Sequence, residues 1–262
     1  MKKITEGKVV VAPDSHQNLK FLNTIIENEE PFDHLVNLSD HFDTFEPIDN
    51  VIHFSVGNVC EWINEKLKDD RFIWLASNHD CSYLASYTKD YTKTKPNPYY
   101  NCSGWTRNKA KSINKNINPE YWNKMELCVQ LGDSVIVSHA GFHYYMFKPY
   151  MSELDNIKHL YDEWERDKHT FKYEPWHWIW DVGRCRGGTA LVGGVLWLDW
   201  DQEFVPLDHI RQILGHSTDP NGARCKKNGI GLENWCIDGM QTCYATWENG
   251  KLEIKYINQN PL

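Results

Sequence analysis

The chain predicts an α/β fold with two β-sheets, and three observations carry that reading. Apolar, β-branched runs alternate with helical spacing through residues 8–80. Almost every run stops directly at a polar cluster rich in Asp, His, Asn and Ser. Beyond residue 210, strand-like runs follow one another with short turns, which suggests a second sheet stacked on the first. A length of 262 residues fits one α/β domain over 1–262, with cap-like insertions at about 83–123 and 143–190.

Lys8 to Ala12 reads as a buried strand closed by Pro13, and Leu19 to Ile26 has helical spacing. Leu35 to Leu38 is a second strand ending at Ser39-Asp40. Val51 to Val56 is a weaker third, before a short helix from Glu61 to Lys68. Phe72 to Ala76 is a strand ending at Ser77-Asn78-His79. From Tyr83 to Asn123 the periodicity is lost. Pro96, Pro98 and Asn101-Cys102-Ser103-Gly104 are loop chemistry, so an irregular insertion over the sheet edge is expected. Glu126 to Gln130 and Ser134 to Val137 form a hairpin that delivers His139. Tyr150 to Lys168 is helical, with Leu154, Ile157, Leu160, Tyr161 and Trp164 at core spacing. Arg184-Cys185-Arg186-Gly187-Gly188 is a basic, Gly-rich loop. Val195 to Leu198 and Ile210 to Leu214 read as short strands, the latter delivering His216. Trp235 to Ile237, Thr242 to Trp247 and Leu252 to Tyr256 complete the β-rich end, with a hairpin turn at Glu248-Asn249-Gly250.

Composition narrows the function. A formal net charge of -8 argues against general nucleic-acid binding by the whole chain. The local exception runs from Lys89 to Lys124 and holds Lys93, Lys95, Arg107, Lys109, Lys111 and Lys115: a flap able to steer a polyanion, or simply a solvated loop. The 8 Cys form no CxxC pair. No apolar h-region follows Met1-Lys2-Lys3, and no run approaches ~18 apolar residues, so a reducing cytoplasmic setting without a membrane is expected. Most of the 12 Trp, including Trp176, Trp178 and Trp180, are assigned to the core.

The polar clusters carry the chemistry. They are Asp14-Ser15-His16, Ser39-Asp40-His41-Phe42-Asp43, Ser77-Asn78-His79-Asp80, Ser138-His139-Ala140-Gly141 and Gly215-His216-Ser217-Thr218. A pair of divalent cations needs a bridging carboxylate, nitrogen ligands and open positions. Asp40 has two oxygens to share and is the natural bridge. Asp14 and His16, two residues apart in extended chain, would hold one cation with it. Asn78, His139 and His216 would hold the other. This mixed N/O set suits two Mn²⁺ ions, with Fe or Zn as alternatives. His79 is left without a metal and, paired with Asp43, is the candidate general acid.

In this order the clusters resemble the calcineurin-like metallophosphoesterases, and within them the phosphoprotein-phosphatase (PPP) branch with its bacterial and phage members. The family pattern Asp-x-His, Gly-Asp-x-x-Asp, Gly-Asn-His-Asp/Glu, His-Ala-Gly and Gly-His-Thr maps onto Asp14 to His16, Ser39 to Asp43, Ser77 to Asp80, His139 to Gly141 and Gly215 to Thr218. Ile237-Asp238-Gly239 resembles the strand after the last His. The resemblance implies a four-layer αββα sandwich of two mixed sheets flanked by helices, a dinuclear metal centre and hydrolysis of a phosphoester. Attack would come from a metal-bridging hydroxide, with His79 protonating the leaving oxygen. The substrate class implied is phosphorylated: a phosphoprotein, a nucleotide or another phosphoester.

The departures are local. Ser39 and Ser77 replace family glycines, and Thr44, Ala76 and Asp199 stand where arginines are usual. Arg184 and Arg186 are the candidate replacements for gripping phosphate, ahead of Arg224, with a structural ion pair as the competing role. Thr218 stands where many relatives have a second His. Two other functions fit less of the pattern: a nuclease or phosphodiesterase holding a strand on the basic insertion, and a non-catalytic metal-binding interaction module. A scaffold of that last kind has no use for the His79–Asp43 pair.

Overall fold

The computed structural model describes residues 1–44, 53–88, 102–168 and 178–257. Val51, Lys89, Lys93, Lys95, Pro96, Pro98, Asn101 and Trp176 lie outside the described residues. In chain order the strands are β1 (Lys2–Ile4), β2 (Lys8–Ala12), β3 (His34–Asn37), β4 (Phe72–Trp74), β5 (Cys128–Leu131), β6 (Val135–Ser138), β7 (Arg211–Leu214), β8 (Arg224–Lys227), β9 (Glu233–Cys236), β10 (Cys243–Glu248) and β11 (Lys251–Tyr256). The helices are α1 (Leu19–Glu29), α2 (Val56–Lys66), α3 (Asn78–Thr88), α4 (Arg107–Asn116), α5 (Pro119–Asn123) and α6 (Glu153–Asp167).

Two mixed sheets result. One runs β11-β10-β2-β3-β4, with β2, β3 and β4 parallel and β10 antiparallel to β2. The other runs β1-β5-β6-β7-β9-β8, with β6, β7 and β9 parallel. Period-two alternation splits the side chains of each strand between two layers. Val9, Val11, Val36, Ile73 and Trp247 of the first sheet meet Val129, Leu131, Val135, Val137 and Ile213 of the second. Their neighbours Val10, Leu35, Cys128 and Ile136 belong instead to the helix-bearing core, with Leu22 and Ile25 of α1, Val59 and Ile63 of α2, and Ile157, Leu160 and Trp164 of α6. Both faces of each sheet are therefore covered, which is the αββα order expected.

Several elements differ from expectation. The extended run around Val51 to Val56 does not reach Val56 as a strand, because Ser55 accepts a hydrogen bond from the Asn58 amide and caps α2 there. Outside the turn expected at Cys102 to Gly104, the described part of the 83–123 insertion is largely helical. Thr106 caps α4 by accepting from the Lys109 amide, and Ala110 and Ile113 form its narrow buried face. With only two buried residues in ten, that face gives a weak periodic signal. Val195 to Leu198 is buried but turns rather than pairing, with the Trp197 amide bonded to the Gly194 carbonyl. A short apolar run does not distinguish the two. The β-rich end does not make a sheet of its own: β10 and β11 join the N-terminal strands, whereas β1 crosses to β5. Trp180 is core as expected, but Trp178 is 40% exposed.

One buried carboxylate ties the first sheet to its helix. Glu29, only 3% exposed at the end of α1, accepts from Lys8 at 2.8 Å, Lys255 at 2.8 and 3.0 Å, and the Tyr244 hydroxyl at 2.6 Å. Burial opposes its charge, but the bonds from Lys255, Lys8 and Tyr244 outweigh that and hold its carboxyl below the ordinary range. Glu29→Gln is expected to cost about 1.5–3 kcal/mol, the worth of hydrogen bonds to a charged group. Because the folded pKa is depressed, this stability is present above the unfolded glutamate pKa and is lost as pH falls through the folded one. Urea denaturation checks this: the deficit of the variant should be full at neutral pH and shrink in acid.

Candidate active site and metal centre

The polar clusters sit at the carboxyl ends of parallel strands in both sheets: β2, β3 and β4 in one, β6 and β7 in the other. That edge of an open α/β sheet is where ligands bind. The turns after these strands are tight. His16, Ser39, Asp40 and His216 have φ of 44°, 83°, 49° and 65°, in the left-handed region. Each such non-glycine residue costs about 1–3 kcal/mol and persists only where its surroundings enforce it. Ser39 stands in for a family glycine by bonding locally, its amide to Asn37 Oδ1 at 2.7 Å and its hydroxyl to the Leu75 carbonyl. Gly215 admits no side chain, since a Cβ there would lie 2.3 Å from Asp14 Oδ1.

The structure brings the expected ligands together. Donor atoms of Asp14, His16 and Asp40 lie within 4.8 Å of one another, and so do those of Asp40, His139 and His216. Asp40 belongs to both groups. Asn78 lies beside the second, its Oδ1 2.8 Å from His139 Nε2, with Asp40 Oδ1 3.7 Å from the same nitrogen. Two histidines are oriented from behind. His139 Nδ1 meets the Leu38 carbonyl at 2.8 Å, and His16 Nδ1 meets the Asp43 carbonyl at 2.8 Å. A carbonyl partner makes Nδ1 the donor and leaves the Nε2 lone pair for a metal.

The donor set fits divalent cations. Asp14 uses Oδ2 to accept from the His216 amide at 2.7 Å, while its Oδ1 and His216 Nε2 are buried without a hydrogen-bond partner. Buried polar atoms of this kind are costly unless something satisfies them. Burial, then the carboxylates of Asp238 and Asp40, push the Asp14 carboxyl well above its ordinary range. Burial would raise Asp40 too, but the imidazoles of His139, His79, His16 and His216 outweigh it and hold that carboxyl well below the range. Burial lowers His139 and, with help from His139 and Arg186, lowers His216 strongly, so both favour the neutral, ligating form. Carboxylate and amide oxygens beside neutral imidazoles make a mixed site for such ions.

The acid candidate is built beside it. His79 Nδ1 is 2.9 Å from Asp43 Oδ2, and the His79 amide donates to Asp40 Oδ1 at 3.3 Å. Burial would lower the His79 imidazole, yet Asp40 and Asp43 raise it above the ordinary value.

Arg186 lies close to His216 but is already engaged, its Nε 2.9 Å from Asp199 Oδ2 and an Nη donating to Ser217 Oγ at 2.8 Å. Arg184 is exposed on the same loop. Arg224 pairs with Asp201. Trp197 stands edge-on to the His216 ring, with centroids 5.9 Å apart. Thr218 donates to buried Asp238 at 2.5 Å.

Other contacts of the site carry little or no signal in the linear sequence. Tyr83 and Lys109 both donate to Asp43 Oδ1 at 2.7 Å. Asp80 accepts from the His41 amide at 2.8 Å, lies 2.7 Å from the His41 ring, and accepts from Trp74 at 2.9 Å, bracing the loop that bears Asp40. Ser77 Oγ accepts from the Asp40 and Asp80 amides at 3.2 Å each, capping α3 and joining two loops. A Ser-x-x-Asp cap signature is visible at Ser77 to Asp80 and marks that helix start.

No curated protein sequence matches the chain significantly. Solved structures share the fold at low identity. A mutant cold-active protein tyrosine phosphatase superposes with a TM-score of 0.60 at 12% identity, covering 98% of this chain and 80% of that one. The cold-active protein tyrosine phosphatase of a psychrophilic Shewanella species gives 0.58 at 12%, with the same coverage of 98% and 80%. A protein serine/threonine phosphatase from Saccharomyces cerevisiae gives 0.50 at 11%, covering 100% and 85%. The family model for calcineurin-like phosphoesterases matches residues 7–220, from β2 through the loop that carries His216, and the chain belongs to that family of metal-dependent phosphoric ester hydrolases.

Proposed function

We propose that this chain hydrolyses a phosphate monoester at a dinuclear site, with His79 as the general acid. The observation that carries the reading is the sharing of Asp40 between two donor groups, directly beside the His79–Asp43 pair. Asp14, His16 and Asp40 would hold one divalent cation, and Asp40, Asn78, His139 and His216 the other, with Mn²⁺ favoured over Fe or Zn. Bound there, the pair would neutralise charge on the phosphoryl oxygens and lower the pKa of water. The protein orients His139 through the Leu38 carbonyl and His16 through the Asp43 carbonyl. His79, whose protonated form the neighbouring carboxylates favour, is poised to give its proton to the leaving oxygen, and Asp43 fixes the ring.

Arg186, beside His216, and Arg184 are the candidates for gripping the phosphoryl group. Protein phosphatases among the structural neighbours support a phosphorylated protein or small phosphoester as substrate. The working compartment in this reading is the reducing cytoplasm, because all eight cysteines are unpaired. The test is Mn²⁺-dependent turnover of p-nitrophenyl phosphate beside bis-p-nitrophenyl phosphate. Preferential turnover of the monoester supports the proposal. Preference for the diester, with a steep salt dependence, would replace it with a nuclease or phosphodiesterase working through the basic insertion from Lys89 to Lys124. Turnover of neither would leave a metal-binding interaction module.

A further inference from the structure

Asp43 is 0% exposed and receives three donors. His79 meets Oδ2 at 2.9 Å, while the Tyr83 hydroxyl and the Lys109 ammonium share Oδ1, each at 2.7 Å. Lys109 brings its ammonium from α4, 66 residues further along the chain. The backbone around it is shaped for this contact. Thr106 caps α4 through the Lys109 amide itself, at 3.2 Å. Gly104, at φ +86°, lets the preceding loop close on the carboxylate, since a Cβ there would lie 3.0 Å from Asp43 Oδ1. The Gly104 carbonyl then accepts from the same ammonium at 3.1 Å. The docking of α4 does not depend on Lys109, because Ala110 and Ile113 supply its buried face.

We propose that Lys109 is a positioning residue of the phosphoryl-transfer site: it pins Asp43 so that the second carboxylate oxygen stays on His79. Two donors on Oδ1 and one on Oδ2 fix the carboxylate plane, and that plane sets the direction of the His79 ring. The insertion thereby becomes part of the machinery that delivers the proton, with Lys109 acting through Asp43. The kinetic consequence rests on the phosphoesterase reading above; the placement of Asp43 and His79 does not.

The experiment compares Lys109→Met, and Lys109→Gln should the first fold poorly, with the unaltered chain in two ways. In steady-state kinetics with Mn²⁺, phenyl phosphate needs its leaving oxygen protonated far more than p-nitrophenyl phosphate does. The variant should lose about tenfold more kcat on the former than on the latter, with little change in KM. Equal losses on both esters, or a loss confined to KM, would show a merely structural lysine. In proton NMR of the Zn²⁺-loaded protein, the His79 Nδ1–H signal, assigned by its disappearance in His79→Gln, should shift in the variant. An unmoved signal overturns the proposal whatever the kinetics. A shifted signal in a chain that hydrolyses neither ester would leave Lys109 as the anchor of Asp43 and remove the phosphoesterase reading instead.

Discussion

Asp40→Asn is expected to reduce phosphoester turnover by at least about a thousandfold, because lost metal-derived charge stabilisation is worth several kcal/mol at roughly 1.4 kcal/mol per tenfold. Among the described residues Asp40 is the carboxylate common to both donor groups, and its surroundings favour the ionised form. An amide in its place has no charge and one oxygen instead of two, so it cannot serve both groups. The fold should survive, because Asn tolerates the left-handed backbone that Asp40 adopts at φ 49° about as well as Asp does. Metal analysis after gel filtration should show the stoichiometry falling below that of the unaltered chain. Turnover within tenfold of the original, at full metal content, would remove Asp40 from the bridging role.

His79→Ala separates acid catalysis from metal binding. The side chain is in neither donor group, whereas the backbone amide that donates to Asp40 remains after substitution. Metal content should therefore hold while kcat falls by about 10²–10⁴, the usual worth of a positioned general acid. The loss should be largest for esters whose leaving oxygen is a poor anion. A variant that loses its metals along with its activity would instead make His79 part of the metal scaffold.

Much of the fold was legible because the strands obey a simple rule. Val9 and Val11 face one layer and Val10 the other, and each parallel strand ends in a residue whose chemistry shows in the sequence. The candidate ligands Asp14, His16, Asp40, Asn78, His139 and His216 could be read this way because each follows an apolar run. Lys109 could not, since it sits in a charged helix whose apolar face is only two residues wide and meets Asp43 through tertiary packing. Asp80 and Ser77 were visible as motif positions, but their bracing of the Asp40 loop depends on two loops meeting across the sheet edge. The fate of β10 was hidden for a related reason: a strand pattern shows that a segment pairs, not with which partner.

That partner has a consequence for how the molecule is made. The strand that precedes Asp14 lies between β3 and β10, and β10 comes from residues 243–248. The earliest ligand cluster therefore rests on one of the latest strands. Such contacts carry a high loop-closure cost and form slowly. During synthesis the helical and βαβ parts can collapse first, but β2 keeps an unpaired edge until β10 has left the ribosome. Until then the candidate ligand clusters lack their completed frame, and catalytic competence waits on that strand.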